Sequence, residues 1–143
     1  MCPFDEIKSW TCTACKFLKG ILDPIPFNNT KAGTQGYTAY DSINNKIIVA
    51  IRGTHNTWNW FEDLDAIPVN YPNCDGCKVD QGFYGAYNSI SDPLIAGVTT
   101  LYKKYNQPGI WVTAHSLGGA MLSYAALEIA ERVAVPEVYY SLE

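Results

Sequence analysis

A serine between a predicted strand and a predicted helix is the strongest chemical signal in this sequence. The apolar run 110–113 predicts a short strand, and a long helical pattern follows the segment Ala-His-Ser-Leu-Gly-Gly at 114–119. A sharp turn there would present the Ser116 hydroxyl to a base on one side and a substrate on the other. N–H groups at the helix start would face a developing oxyanion. Ser116 is therefore a candidate nucleophile, and the alternative is a glycine-rich turn without chemistry.

The composition limits the classes of protein that this chain can belong to. Its 143 residues, 48% hydrophobic and 17% charged, predict a single folded domain over residues 1–143. The net charge of −4 provides no basic surface for nucleic acid. No apolar run approaches the length of a transmembrane helix, so we expect no membrane span.

Five cysteines suggest an oxidising compartment. Two C-x-x-C pairs lie at 12–15 and 74–77, and Cys2 is additional. A four-thiolate zinc site is one interpretation, but the wide separation of the pairs favours disulfides whose connectivity stays undetermined. The sequence Asn-Asn-Thr at 28–30 is an N-glycosylation sequon, which is compatible with secretion. We therefore predict a secreted protein whose signal peptide is not present in this chain.

The hydrophobic pattern predicts alternating strands and helices. Residues 4–19 are loosely helical in spacing and 27–36 are expected to form a loop. Residues 36–41 and 46–52 predict two strands joined by a hairpin near Asn44 and Asn45. The unbroken apolar run 47–51 predicts a strand that is buried on both faces.

Two longer helical patterns follow. The first covers 83–105 and contains Pro93, which is expected to split or kink it. The second runs from the candidate nucleophile to about Val133, and a further strand is expected from 138.

Four motifs, taken in order, resemble the class 3 (fungal-type) triacylglycerol lipases over about 36–140. They are Arg-Gly-Thr at 52–54, Asn-Trp-x-x-Asp-Leu at 59–64, Gly-Phe at 82–83 with Tyr87, and the serine segment at 114–120. The resemblance implies a partial α/β-hydrolase fold: a mostly parallel central sheet, an N-terminal antiparallel hairpin and helices on both faces. It also implies that the protein hydrolyses a carboxylic ester, with an acylglycerol as the substrate. The reaction would pass through an acyl-serine intermediate and would need no metal or organic cofactor.

The resemblance assigns further residues. Thr54 and Leu117 match the residues whose backbone N–H groups form the oxyanion hole. Structural roles are implied for Asn59, Asp63 and His115. The segment 55–68 matches the family's lid, and its aromatic residues suit a lipid–water interface. The lid candidates are Trp58, Trp60 and Phe61. The first glycine of G-x-S-x-G is replaced by Ala114.

The base that Ser116 needs is missing from the pattern. The two histidines are His55 and His115, and neither follows Ser116, whereas the acid and base of α/β-hydrolases follow the serine. His55 would approach from the oxyanion side, which is the wrong side for a base. We expect that the chain is truncated after the helix that follows Ser116, which we call the elbow helix because the turn at Ser116 resembles a nucleophile elbow. Otherwise the last predicted strand, from 138, would leave an unpaired apolar edge on the sheet. The alternative is a catalytically inactive lipase-like protein that binds lipid or protein.

Overall fold

The computed structural model describes residues 2–53, 67–133 and 138–142. Along the chain, its elements are α1 (Phe4–Lys8), a 3-10 turn (Cys15–Phe17), β1 (Ile21–Asn29), β2 (Thr34–Asp41), β3 (Lys46–Arg52), β4 (Pro68–Asn70), β5 (Lys78–Asp80), α2 (Gln81–Lys104), β6 (Gly109–His115), α3 (Leu117–Val133) and β7 (Val138–Leu142).

A five-stranded mixed sheet carries the strand that leads to Ser116. Its strand order is β1-β2-β3-β6-β7, and β4 and β5 form a separate two-stranded hairpin. The pairs β1–β2 and β2–β3 are antiparallel, whereas β3–β6 and β6–β7 are parallel. The central strands are therefore parallel and the antiparallel part is N-terminal, which confirms the predicted α/β fold class.

The two long helices cover one face of the sheet, which we call the helix face. Val49 on β3 and Val112 on β6 are paired on this face, and both are buried. The apolar stripes of α2 and α3 pack onto this row because each helix places buried residues at intervals of three or four. The largest fully buried side chains are Tyr87, Ile47, Ile90, Leu94, Leu101, Ile110, Met121, Leu122, Ile129, Val49, Val98 and Val112.

The N-terminal segment lies on the opposite face of the sheet. Trp10 packs edge-on against Tyr37 of β2, with ring centroids 5.2 Å apart. Helices therefore flank both faces, as predicted. The run 47–51 does not form a strand buried on both faces, because buried and half-buried residues alternate along β3. Ile48 and Ala50 face the side that the N-terminal segment covers only in part.

The loop predicted at 27–36 was largely wrong, because β1 covers Ile21–Asn29 and β2 begins at Thr34. Pro24 and Pro26 are accommodated because β1 is the first strand of the sheet, with a register shift between Leu22 and Ile25. Pro93 does not split α2, which is a single helix over Gln81–Lys104.

A buried polar contact joins α2 to α3 beside the core. The Tyr87 hydroxyl donates to Glu128 Oε2 at 2.8 Å, and Arg132 Nη1 donates to the same oxygen at 3.3 Å. Burial, followed by the hydrogen bond to Glu128, raises the pKa of Tyr87 above its ordinary value of 10.0. This contact ties the helix that begins after Ser116 to its neighbour. Within the described ranges, no helix combines the length and the hydropathy that crossing a bilayer requires.

Candidate active site

Ser116 occupies the turn between β6 and α3. The strand ends at His115 and the helix begins at Leu117, so a single residue makes the change of direction. Ser116 is exposed and has a φ of 57°, in the left-handed region that residues with a Cβ seldom adopt. The Gly119 N–H donates to the Ser116 carbonyl at 2.8 Å and closes the turn. A left-handed, exposed serine at a strand-to-helix turn is the arrangement that a nucleophile elbow requires.

The first turn of α3 lies directly against the end of β3. A Cβ added to Gly118 would stand 2.5 Å from the Ile51 carbonyl oxygen and 3.3 Å from the Ala114 Cβ. No real Cβ tolerates the first distance, so only glycine fits at 118 while the backbones stay where they are. The start of α3 and the end of β3 therefore approach each other closely at Gly118.

The residue after β3 lies against the start of α3. A Cβ added to Gly53 would stand 3.1 Å from the Leu117 nitrogen and 2.9 Å from the Leu117 Cβ. Gly53, the second residue of the Arg-Gly-Thr motif, thus lies beside the backbone amide of Leu117, the residue after Ser116. Sequence reasoning did not single out Gly53, although its place in the Arg-Gly-Thr motif was a usable signal.

Arg52 holds the chain in this position. Its Nε donates to the Gly53 carbonyl at 2.9 Å, and its Nη1 donates to Gln35 Oε1 at 3.2 Å. Partial burial lowers the pKa of Arg52 from its ordinary value, but a guanidinium remains charged. Arg52 therefore orients the Gly53 carbonyl. In the sequence, Arg52 is visible only as part of the Arg-Gly-Thr motif, and its hydrogen bond to Gly53 is seen only in the structure.

His115 faces away from the helices. It is paired with Arg52 across the parallel strands, so both side chains lie on the opposite face. There it lines an apolar cavity of about 210 Å³, together with Cys2, Ile7, Gln35, Gly36, Tyr37, Ala50, Ile51 and Arg52. His115 is itself exposed, and it lies on the face of the sheet opposite the two long helices.

Several predicted site residues lie outside the described residues. They are Thr54, Trp58, Asn59, Trp60, Phe61 and Asp63, and His55, which the sequence analysis sets aside as a base, also lies there. Of the predicted site, the structure describes Ser116, Leu117 and His115, which are consecutive in the chain.

The cysteines do not combine into a four-thiolate zinc site. Among the described residues, one group of potential metal ligands forms, consisting of Cys2, Cys12 and Cys15, whose sulfur atoms lie within 4.8 Å of one another. Cys74 and Cys77 form a disulfide of their own. Cys12 is within bonding reach of both Cys2 and Cys15, with Cα–Cα distances of 5.5 and 5.0 Å. A sulfur atom forms one disulfide, so one member of the trio is left as a thiol.

A strand that ends at a left-handed serine and turns into a helix, within a sheet of parallel central strands, defines an α/β-hydrolase fold. Comparisons with known proteins agree. The family model described as Lipase (class 3) matches residues 48–141. The chain belongs to this family.

The chain is similar to named lipases. It is 31% identical to a lipase from Rhizomucor miehei over 124 residues, covering 87% of this chain and 34% of that protein. It is 29% identical to the secreted mono- and diacylglycerol lipase A from Penicillium cyclopium over 102 residues, covering 71% of this chain and 33% of that protein. The chain thus spans about a third of the length of these relatives. Both relatives are named as lipases.

Solved structures agree with the fold. The structure of Rhizomucor miehei triacylglyceride lipase matches with a TM-score of 0.83 and 28% identity, covering 93% of this chain and 51% of that chain. A triacylglycerol lipase, whose catalytic centre is described as a serine protease triad, matches with a TM-score of 0.77 and 31% identity, covering 87% and 47%.

Proposed function

We propose that this chain carries the nucleophile and the oxyanion-hole part of a class 3 lipase, which hydrolyses an ester of an acylglycerol. The supporting observation is the exposed, left-handed Ser116, with Gly53 packed against the Leu117 amide. The Ser116 oxygen would attack the ester carbonyl carbon and lose its proton to a base. The alcohol would then leave, and water would hydrolyse the acyl-serine.

The oxyanion would be held by the backbone N–H groups of Leu117 and Thr54. Amides at the start of a helix have no helical acceptor and lie at its positive end. The packing of Gly53 on the Leu117 nitrogen supports Thr54 as the second donor, because Thr54 is the next residue. Two such donors stabilise the charge that develops on the carbonyl oxygen more than they stabilise the substrate. We assign no base or acid among residues 1–143.

The substrate would be reached at a lipid–water interface outside the cell. We propose that the chain is exported, since it contains disulfides and a relative is named as secreted. Trp58, Trp60 and Phe61 are proposed as lid residues that insert into the interface. Trp58→Ser should then lower hydrolysis of emulsified ester more than hydrolysis of soluble ester. Equal losses on both substrates would refute the lid assignment.

A fluorophosphonate probe tests the nucleophile. The native chain should be labelled at Ser116 faster than the heat-denatured chain, because the oxyanion-hole amides stabilise the charge that develops on the phosphonyl oxygen even where no base is assigned. Ser116→Ala should remove the label. Ser123→Ala is the matched control, since Ser123 is an exposed serine about two helical turns further along α3. Labelling that persists in Ser116→Ala, or that is no faster in the native chain, would overturn the proposal.

A further inference from the structure

The sequon at the β1–β2 hairpin is presented for modification. Asn28-Asn29-Thr30 is the only N-x-Ser/Thr sequence in the chain. Asn28 and Thr30 are both exposed. Within the part of the chain that the structure describes, neither side chain has a hydrogen-bonding partner. The amide nitrogen and the hydroxyl that define the sequon are therefore both open to solvent.

Asn29, the middle residue of the sequon, is instead hydrogen-bonded to its neighbours. Asn29 Oδ1 accepts hydrogen bonds from the Lys31 and Ala32 amides, each at 3.0 Å, which fixes the turn. Its Nδ2 donates to the Ser89 carbonyl at 3.5 Å. That carbonyl lacks its usual helical donor because the residue four positions later is Pro93. Asn29 thus holds the hairpin against α2, while Asn28 points to the opposite face.

The position of Asn28 relates it to the active site. Direct pairing places Asn28 opposite Gln35, Gln35 opposite Arg52, and Arg52 opposite His115. Three strand spacings separate Asn28 from His115, which is roughly 14 Å. The sequon therefore lies in the sheet row that ends one residue before Ser116. Because β1 is the first strand in the sheet order, no further described strand pairs with its outer side.

We propose that Asn28 carries an N-linked oligosaccharide at the Ser116 end of the sheet. Nδ2 of Asn28 forms a bond to the first carbon of the reducing-end sugar and loses a proton. The sugar–phosphate bond of a lipid-linked oligosaccharyl pyrophosphate breaks, and the pyrophosphate lipid leaves. The glycan would be bulky, soluble and attached to the free edge strand. This inference rests on the proposed export of the chain, since the donor is supplied in the secretory pathway.

The test is production of the chain behind a signal sequence in a eukaryotic host. Chain from the cells and from the medium is analysed by intact mass before and after digestion with an N-glycan amidase. The wild-type chain should lose the mass of one glycan on digestion and yield aspartate at 28. Asn28→Gln and Thr30→Ala should abolish the glycan.

Matched variants separate the sequon from the turn. Thr30→Ser and Asn29→Ser keep an N-x-Ser/Thr sequence and should keep the glycan, although Asn29→Ser removes the amide that binds Ser89. Unmodified Asn28 in the wild-type chain, or a glycan that survives in Asn28→Gln, would overturn the proposal. Ser116 labelling is scored on the same samples. A chain that is labelled at Ser116 but carries no glycan would overturn the glycan proposal alone. A chain that carries the glycan but is not labelled would overturn the proposed function alone.

Discussion

Substituting Gly118 by alanine should destabilise the protein, against the usual effect of that change in a helix. The added Cβ would lie 2.5 Å from the Ile51 carbonyl oxygen and 3.2 Å from its carbonyl carbon. Both are backbone atoms of a central strand, so they cannot turn aside as a flexible side chain does. The start of α3 would have to move away from β3.

The expected magnitude is the difference of two effects. Forcing one extra methyl into a well-packed site costs about 1–3 kcal/mol. Replacing glycine by alanine within a helix returns about 0.5–1 kcal/mol, since the unfolded chain loses conformational freedom. The difference lies between about 0 and 2.5 kcal/mol, so we expect Gly118→Ala to lower the free energy of unfolding by about 1 kcal/mol.

Urea unfolding measures this change, with Gly85→Ala as the matched control. Gly85 is also helical, and a Cβ there would meet no atom within 4 Å, so its alanine variant should gain stability. Gly118→Ala should shift the midpoint to lower urea without changing the slope. Fluorophosphonate labelling should slow as well, since α3 carries the Leu117 amide. A Gly118→Ala chain as stable as Gly85→Ala would refute the reasoning about the elbow.

Three further results are expected. Tyr87→Phe should cost about 1–3 kcal/mol, because it removes a donor from the buried Glu128. Burial and Glu128 raise the pKa of Tyr87, so its stability contribution is complete below pH 10.0 and is lost above it. Urea titrations across alkaline pH should therefore show a weaker decline in Tyr87→Phe. Asp41→Ala should cost about 2 kcal/mol, because Asp41 Oδ1 accepts from the Ile43 and Asn44 amides in the β2–β3 turn. Burial would raise the pKa of Asp41, but these hydrogen bonds outweigh it, so the contribution is present above pH 3.8 and is lost below. Asp41→Ala should thus flatten the acid side of the stability profile, and an unchanged profile would contradict this. Thiol titration of the unfolded, non-reduced chain should give one thiol from five cysteines, and any other count would contradict the arrangement of the trio.

Sequence reasoning succeeded where periodicity and local chemistry agreed. The strands 36–41 and 46–52 pair as an antiparallel hairpin, with Asn45 at a φ of 52° as its turn chemistry predicts. The second long helix ends at Val133, as expected. These elements depend on neighbouring residues alone, so their pattern is visible without tertiary structure.

It failed where a tertiary contact compensates for a poor local signal. A loop was predicted at 27–36, whereas Ile21–Asn29 form an edge strand in which the missing N–H groups of two prolines are harmless. Pro93 argued for a broken helix, but Asn29 reaches the carbonyl that the proline leaves without a donor. None of these contacts is readable from periodicity.

Ala114 and Gly118, the small residues on either side of Ser116, differ in how much space the neighbouring atoms leave for a side chain. This difference explains why position 114 can be alanine here. Ala114 is an ordinary strand residue paired with Ile51, so its backbone makes no demand for glycine. Its methyl fits because Gly118 has none: the Ala114 Cβ lies 3.3 Å from the place a Cβ at 118 would take. A Cβ at 118 would instead meet the backbone carbonyl of Ile51 in β3, which cannot move aside as a side chain can. The methyl at 114 thus relies on the glycine at 118, and the elbow retains its shape despite the departure from G-x-S-x-G.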